Sequence, residues 1–167
     1  MRPVADFLVK DHQRLETLLQ QAVAHADQVD QAAYDRFRAG LLRHIGMEEK
    51  ILLPTAQRLR GGDPLPIASK LRLDHGALAT LLMPTPTTAI VASIRGILKD
   101  HNILEEGPGG LYETCDELAG CEAAQLLAKL QAAPEPNVLP HSDSPQVMDT
   151  LHRVLERAGY AIREDEI

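Results

Sequence analysis

The stretch His44-Ile45-Gly46-Met47-Glu48-Glu49 recurs later in the chain as His101-Asn102-Ile103-Leu104-Glu105-Glu106. In both copies a glutamate follows a histidine after four positions, a spacing that places the two side chains on one face of an α-helix. A second pair of stretches repeats as well, since Asp11-His12-Gln13-Arg14-Leu15 corresponds to Asp74-His75-Gly76-Ala77-Leu78. The two repeats predict two similar helical hairpins, which together form a four-helix bundle with approximate two-fold symmetry.

Apolar residues at three- and four-residue steps predict helices around these motifs. The predicted helices cover residues 4–26, 31–59, 65–83, 87–106 and 111–132, and another follows residue 144. Pro54 should end or kink the second helix, and Gly107-Pro108-Gly109-Gly110 should end the fourth. The expected fold is all-α, an up-down-up-down four-helix bundle with an additional C-terminal helix.

The chain of 167 residues is long enough for one domain and a short appendage. The predicted parts are the bundle, a polar and proline-rich linker, and a C-terminal helix with its tail: residues 1–132, 133–145 and 146–167. Ser144 and Pro145 are typical of a helix start, and Gly159 of a helix end. The apolar face of this helix must pack on the bundle or on a second subunit, so a homodimer through the helix is one expectation.

Charge and hydropathy narrow the classes of partner. The formal net charge is -7 and no basic stripe is present, which disfavours binding to nucleic acid. No apolar run is long enough to span a bilayer, so no membrane partner is expected. The first residues lack the apolar core of a secretion signal, and we therefore expect a cytoplasmic protein.

Four histidines lie where the helical pattern requires apolar side chains. His12, for example, falls between Leu8 and Leu15 on the apolar stripe of the first helix. One such histidine is more often an ordinary core residue, but here four share the predicted core with two glutamates. A buried ionised carboxylate is costly unless it is paired or coordinates a metal. The pattern therefore predicts six metal ligands: His12, His44, Glu48, His75, His101 and Glu105.

A pair of divalent cations would resolve the burial of these charges. Two glutamates can bridge two ions while each ion takes two imidazole nitrogens, which leaves coordination positions open. Mixed nitrogen and oxygen donors with open positions favour iron or manganese over a closed tetrahedral zinc site.

The pattern of these six residues resembles the hemerythrin-like (HHE) cation-binding domain family. The flanking residues agree, because Asp-His-x-x-Leu begins at Asp11 and at Asp74, and Glu48-Glu49-Lys50-Ile51-Leu52-Leu53-Pro54 is typical of the family's second helix. The resemblance covers roughly residues 4–120. It implies a hemerythrin-like bundle with a non-haem di-iron centre of the Fe–O–Fe type, in which manganese or zinc are substitutes for iron.

The resemblance also implies roles for the ligands. Glu48 and Glu105 would bridge the two irons, His12 and His44 would bind one iron, and the other two histidines would bind the second. Oxygen-carrying hemerythrins have an additional histidine one turn from the third-helix ligand. This chain has Leu71 at that spacing, or Ala79 on the other side, so the additional ligand is missing.

Three functions follow from such a centre. The favoured one is binding or sensing oxygen or nitric oxide, or handling iron, because open coordination positions suit small ligands. The second is a redox enzyme that reduces nitric oxide or peroxide or repairs iron centres, although no flavin site or reductase docking surface is recognisable. The third is a helical regulatory module whose metals are structural.

The residues beside the predicted ligands are expected to serve other purposes. Asp11, Asp74, Glu49 and Glu106 point about 100° away from their ligand neighbours on a helix, so we expect solvated side chains. Tyr112 is expected to pack in the core, with an approach to the metal site as the alternative. The glycine-rich break after Glu106 could loosen Glu105.

Overall fold

A computed structural model describes residues 1–160, and all regular secondary structure in this part of the chain is helical. The helices are α1 (Pro3–Ala22), α2 (Gln31–Met47), a π-helical segment (Glu48–Leu52), α3 (Leu53–Leu59), α4 (Ala68–Leu81), α5 (Thr88–Glu106), α6 (Leu111–Ala119), α7 (Ala123–Gln131) and α8 (Pro145–Ala158). The prediction of an all-α fold with an additional C-terminal helix is confirmed. Residues 161–167, part of the predicted C-terminal tail, lie outside the described residues.

Side chains and neighbouring elements define where the helices begin. Asp30, Thr87 and Ser144 each accept a hydrogen bond from a backbone N–H in the first turn of α2, α5 and α8. The start of α1 is capped by a side chain of another helix. The Asp116 carboxylate of α6 accepts hydrogen bonds from two backbone N–H groups of α1, at 3.1 and 2.9 Å. The end of α1 is at Ala22, four residues before the predicted end.

The second helix does not end at Pro54, because α2 runs into the π-helical segment and then into α3 without a break. Proline lacks an N–H and its ring would collide with the carbonyl one turn earlier in a regular α-helix. The wider π turn relieves this, with the Leu53 N–H donating to the Glu48 carbonyl five residues earlier. The π-helical segment begins at Glu48, one of the predicted ligands.

Two apolar clusters fill the interior, one toward each end of the bundle. The first includes Leu19, Phe37 and Leu78, and the second includes Leu8, Leu52 and Leu71 as well as side chains of α6 and α7. The predicted metal ligands lie between these clusters, in α1, α2, the π-helical segment, α4 and α5. The fold therefore places the polar residues at mid-bundle, with apolar packing on both sides.

The C-terminal helix packs along α4 within the same chain. Leu151 and Leu155 of its apolar face are at most 1% exposed and belong to the first apolar cluster. The segment before it contacts the bundle through polar groups, since Arg38 donates to the Leu139 carbonyl at 2.7 Å. Among residues 1–160, no helix is long and apolar enough to cross a membrane.

Candidate metal centre

The six side chains that the sequence selects converge at mid-bundle in two groups. The first group is His12, His44, Glu48 and Glu105, and the second group is Glu48, His75, His101 and Glu105. In each group, one nitrogen or oxygen atom per residue lies within 4.8 Å of all the others. None of the six residues is more than 8% exposed.

The two glutamates belong to both groups, and each divides its two oxygens between them. Glu48 Oε1 lies 3.3 Å from His44 Nε2 of the first group, and its Oε2 lies 3.0 Å from His75 Nε2 of the second.

Glu105 divides its oxygens in the same way. Its Oε2 lies 3.3 Å from His12 Nε2 of the first group, and its Oε1 lies 2.7 Å from His101 Nε2 of the second. Each carboxylate therefore lies between a histidine of the first group and a histidine of the second.

Each histidine directs Nε2 into the centre and donates its Nδ1–H to a carboxylate on a neighbouring helix. His44 donates to Asp11 at 2.8 Å, and His101 donates to Asp74 at 3.1 Å. Once such an imidazole is neutral it carries one N–H, so the hydrogen bond at Nδ1 leaves the lone pair of Nε2 facing the centre.

The other two histidines use the acidic residues that follow the central glutamates. His75 donates to Glu49 at 2.6 Å, and His12 donates to Glu106. The four pairs therefore link α1 to α2, the π-helical segment to α4, α4 to α5, and α5 back to α1. We refer to the four acidic residues together as the carboxylate ring: Asp11, Glu49, Asp74 and Glu106.

The prediction of solvated surface groups is wrong for Asp11 and Asp74, which are buried, whereas Glu106 is exposed as predicted and Glu49 is half-buried. The angle of about 100° between successive helical residues brings each of the four within hydrogen-bond reach of a histidine on an adjacent helix. Asp11 is 8% exposed and Asp74 is 1% exposed. The signal that could have found them is their own repetition, since Asp precedes histidine in both halves and Glu follows glutamate in both.

Tyr112 of α6 contributes its hydroxyl group to the first group instead of merely packing in the core. The hydroxyl lies 2.7 Å from Glu48 Oε1 and 3.1 Å from Glu105 Oε2. It also lies 3.0 Å from His12 Nε2 and 3.1 Å from His44 Nε2. The Tyr112 side chain is 1% exposed, and its hydroxyl lies within hydrogen-bond distance of all four members of the first group. The second group has no equivalent hydroxyl among the described hydrogen bonds.

A tight glycine turn brings Tyr112 to this position. Gly109 has φ 70°, and a Cβ on Gly110 would lie 2.7 Å from each of the Leu104 and Glu105 carbonyl oxygens. Only glycine fits such a close return of the chain onto the end of α5. Glu105 is fully buried beside this turn.

A family model described as "Hemerythrin HHE cation binding domain" matches residues 4–131. The chain belongs to this family. The comparison with curated proteins gives no match, and neither does the comparison with solved structures. The matched residues of the HHE domain include both groups, whereas α8 lies beyond them.

Three buried atoms of the second group have no hydrogen-bond partner among the described residues of the HHE domain: Glu48 Oε2, His75 Nε2 and Glu105 Oε1. The first two are 3.0 Å apart, yet they are not aligned as donor and acceptor. Buried polar atoms without partners are costly, and a cation between them would satisfy all three. The donor atoms of the second group therefore fit a metal ion.

The charges of the HHE domain centre shift the pKa values of its members strongly. Burial alone would lower the pKa of His44 and of His75, but the surrounding carboxylates outweigh burial and raise these pKa values to about 10 and about 11. Burial would raise the pKa of Glu48 and of Glu105, yet the histidines hold both below the ordinary value. Without metal the centre therefore retains protons on its imidazoles, and a cation has to displace them.

The remaining histidines are not part of the centre. His25 is exposed beyond the end of α1. His141 contacts Asp35 and the Pro84 carbonyl at the end of the bundle, and His152 lies on α8. None of the three belongs to either group of donors.

Proposed function

We propose that this HHE domain holds a pair of iron ions and binds or senses a small diatomic ligand, oxygen or nitric oxide. The observation that supports this most directly is that Glu48 and Glu105 each direct one oxygen to the first group and the other oxygen to the second group. A carboxylate that bridges two ions requires this division of its oxygens.

The donor atoms support iron over a structural zinc site. Each ion would be held by two imidazole nitrogens and by one oxygen from each glutamate, with no thiolate among the donors. Zinc in a structural site is usually four-coordinate and closed, often with cysteine, whereas nitrogen and oxygen donors with open positions suit iron. Bound iron would supply a redox-active metal with positions left for an exogenous ligand.

The protein's own contribution is orientation and exclusion of water. The carboxylate ring holds each imidazole with Nε2 toward the centre, so the donors need little rearrangement when metal enters. The Tyr112 hydroxyl is a hydrogen-bond donor at the first group. The apolar clusters on both sides keep bulk water away, which strengthens the electrostatic interactions in the centre.

Metal analysis of the purified protein is the first test. We expect about two irons per chain after expression with ample iron and purification without chelator. Glu105→Gln keeps the side chain's shape but removes its charge, and it should reduce the iron content toward zero. Glu117→Gln on the exposed face of α6 is the matched control and should retain both irons. A chain with no iron, or with one zinc that Glu105→Gln does not affect, would overturn the proposal.

Absorption spectroscopy of the iron-loaded protein tests the ligand. Nitric oxide added to the reduced protein should change the absorption of the iron centre reversibly. Oxygen added to anaerobically prepared protein should do the same. An iron-loaded protein whose spectrum responds to neither gas would argue for structural metals. Release of both irons to a mild acceptor without any response to gas would argue for iron handling.

A further inference from the structure

The C-terminal segment reaches the candidate metal centre through one hydrogen-bonded chain. The Tyr160 hydroxyl, which follows α8, donates to Asp74 Oδ1 at 2.8 Å. The other oxygen of Asp74 accepts the Nδ1–H of His101 at 3.1 Å. A residue beyond the matched HHE domain is therefore two contacts away from a donor of the second group.

The position of Tyr160 is defined by the helix before it and by Lys70. Gly159 has φ 88° and ends α8, after which the Tyr160 N–H donates to the Leu155 carbonyl at 2.9 Å. The Lys70 ammonium lies 4.9 Å from the centre of the Tyr160 ring and 2.6 Å from Asp74 Oδ1. Tyrosine, lysine and aspartate thus form one polar cluster, and its geometry depends on how α8 is docked on α4.

The corresponding carboxylate in the first half of the bundle is supported differently. Asp11 orients His44, and its other oxygen accepts from Arg14 Nε at 2.9 Å, one turn later on the same helix. Its support is therefore local to α1. Of the two aspartates, only Asp74 accepts a hydrogen bond from a residue outside the four helices of the centre.

We propose that α8 is coupled to the metal position formed by His75 and His101, with Tyr160 as the positioning residue. The proposal rests on the proposed metal centre. When α8 is docked, Tyr160 holds Asp74, and Asp74 holds the His101 ring in its coordinating orientation. Coupling between two sites is reciprocal, so a change at this metal position must also change how firmly α8 is docked. The docking of the C-terminal helix therefore depends on whether this metal position is occupied.

Iron release to a chelator tests the forward direction. Wild type and Tyr160→Phe are both loaded with iron, and release is followed by stopped-flow absorbance. Removing a residue that orients a metal ligand weakens binding about 10- to 100-fold, so one of the two irons should leave about 10-fold faster in Tyr160→Phe. The other iron should leave at the wild-type rate. Tyr34→Phe, which removes a buried hydroxyl with no hydrogen-bond partner among the described residues, should leave both rates unchanged.

Hydrogen exchange of α8 tests the reverse direction. In wild type, amides of residues 151–158 should exchange more slowly with iron bound than without it. In Tyr160→Phe this difference should shrink, because the hydroxyl that connects the two sites is absent. Equal iron release in wild type and Tyr160→Phe, or equal acceleration of both irons, would overturn the coupling alone. A wild-type chain that binds no iron would overturn the metal centre and the coupling together.

Discussion

The imidazole of His44 illustrates how single residues act in this protein. Its Nδ1–H is donated to Asp11, and its Nε2 lies 3.1 Å from the Tyr112 hydroxyl and 3.3 Å from Glu48 Oε1. The acidic partner determines which nitrogen carries the proton, and so which nitrogen can bind metal. A residue outside the proposed coordination sphere can thus control a proposed metal ligand.

Substitution of Asp11 tests this control at one residue. Asp11→Asn removes the negative charge that orients His44 and should weaken binding of one of the two proposed irons about 10- to 100-fold. Competition with a chelator of known affinity measures the change. Asp6→Asn, an exposed change on the same helix, should leave the affinity at the wild-type value. Equal affinities for Asp11→Asn and wild type would show that the His44 ring is held by packing instead.

Sequence reasoning selects the six central residues but misses their supporting partners for a physical reason. A polar residue on an apolar helical stripe is visible in one helix alone, and His12 and His75 stand out in this way. The role of Asp11 depends on which helix lies next to α1, which no single-helix pattern contains. Tyr112 depends in addition on the sharp turn before α6, and its hydroxyl could not be placed from periodicity.

Two interruptions of regular α-helix determine how secondary-structure elements position the residues of the centre. The π-helical segment admits Pro54 without ending the helix and begins at Glu48. The turn Gly107-Pro108-Gly109-Gly110 reverses the chain so that Tyr112 returns to the centre. The sequence predicted the positions of helix starts well, because Asp30, Thr87 and Ser144 cap them locally. It did not predict the π turn, because widening of a helix depends on the packing around it.

The turn can be tested with a pair of glycine substitutions. A Cβ at Gly110 would lie 2.7–2.8 Å from three backbone carbonyl oxygens, so Gly110→Ala should destabilise the fold by about 1–3 kcal/mol. Gly96→Ala is the control on the exposed side of α5, where a Cβ meets no atom within 4 Å. That change should stabilise the helix by about 0.5–1 kcal/mol. Urea unfolding measures both, and a Gly110→Ala protein as stable as wild type would contradict the close approach.

At the scale of the whole molecule, the centre is a charged layer between two apolar clusters. Without metal, its stability depends on protonated imidazoles facing ionised carboxylates. The carboxylates, acting against burial, raise the pKa of His101 to about 9, while the pKa values of His44 and His75 are about 10 and about 11. The folded chain therefore holds protons that an unfolded chain, with pKa near 6.5, would release.

This difference predicts how the stability of metal-free protein depends on pH. Groups whose pKa is raised by folding stabilise the fold fully below about pH 6.5, and the contribution is lost as pH rises through about 9 to 11. The Tm of chelator-treated protein should therefore fall over that range, by about 2–4 °C for each kcal/mol lost in a chain of this size. Iron-loaded protein should lose less, because in the proposed centre the Nε2 atoms would bind metal rather than protons. A constant Tm between pH 6.5 and 10 without metal would contradict the shifted pKa values.

The carboxylate ring has a consequence for the order of events during synthesis. The chain leaves the ribosome from its N-terminus, and His12 finds its partner only in Glu106, near the end of α5. Both groups also need Glu105, so neither has all its donors while α5 is still in the exit tunnel. Capture of a metal ion by the first hairpin alone would therefore be incomplete, and the centre can be completed only after α5 has emerged from the ribosome.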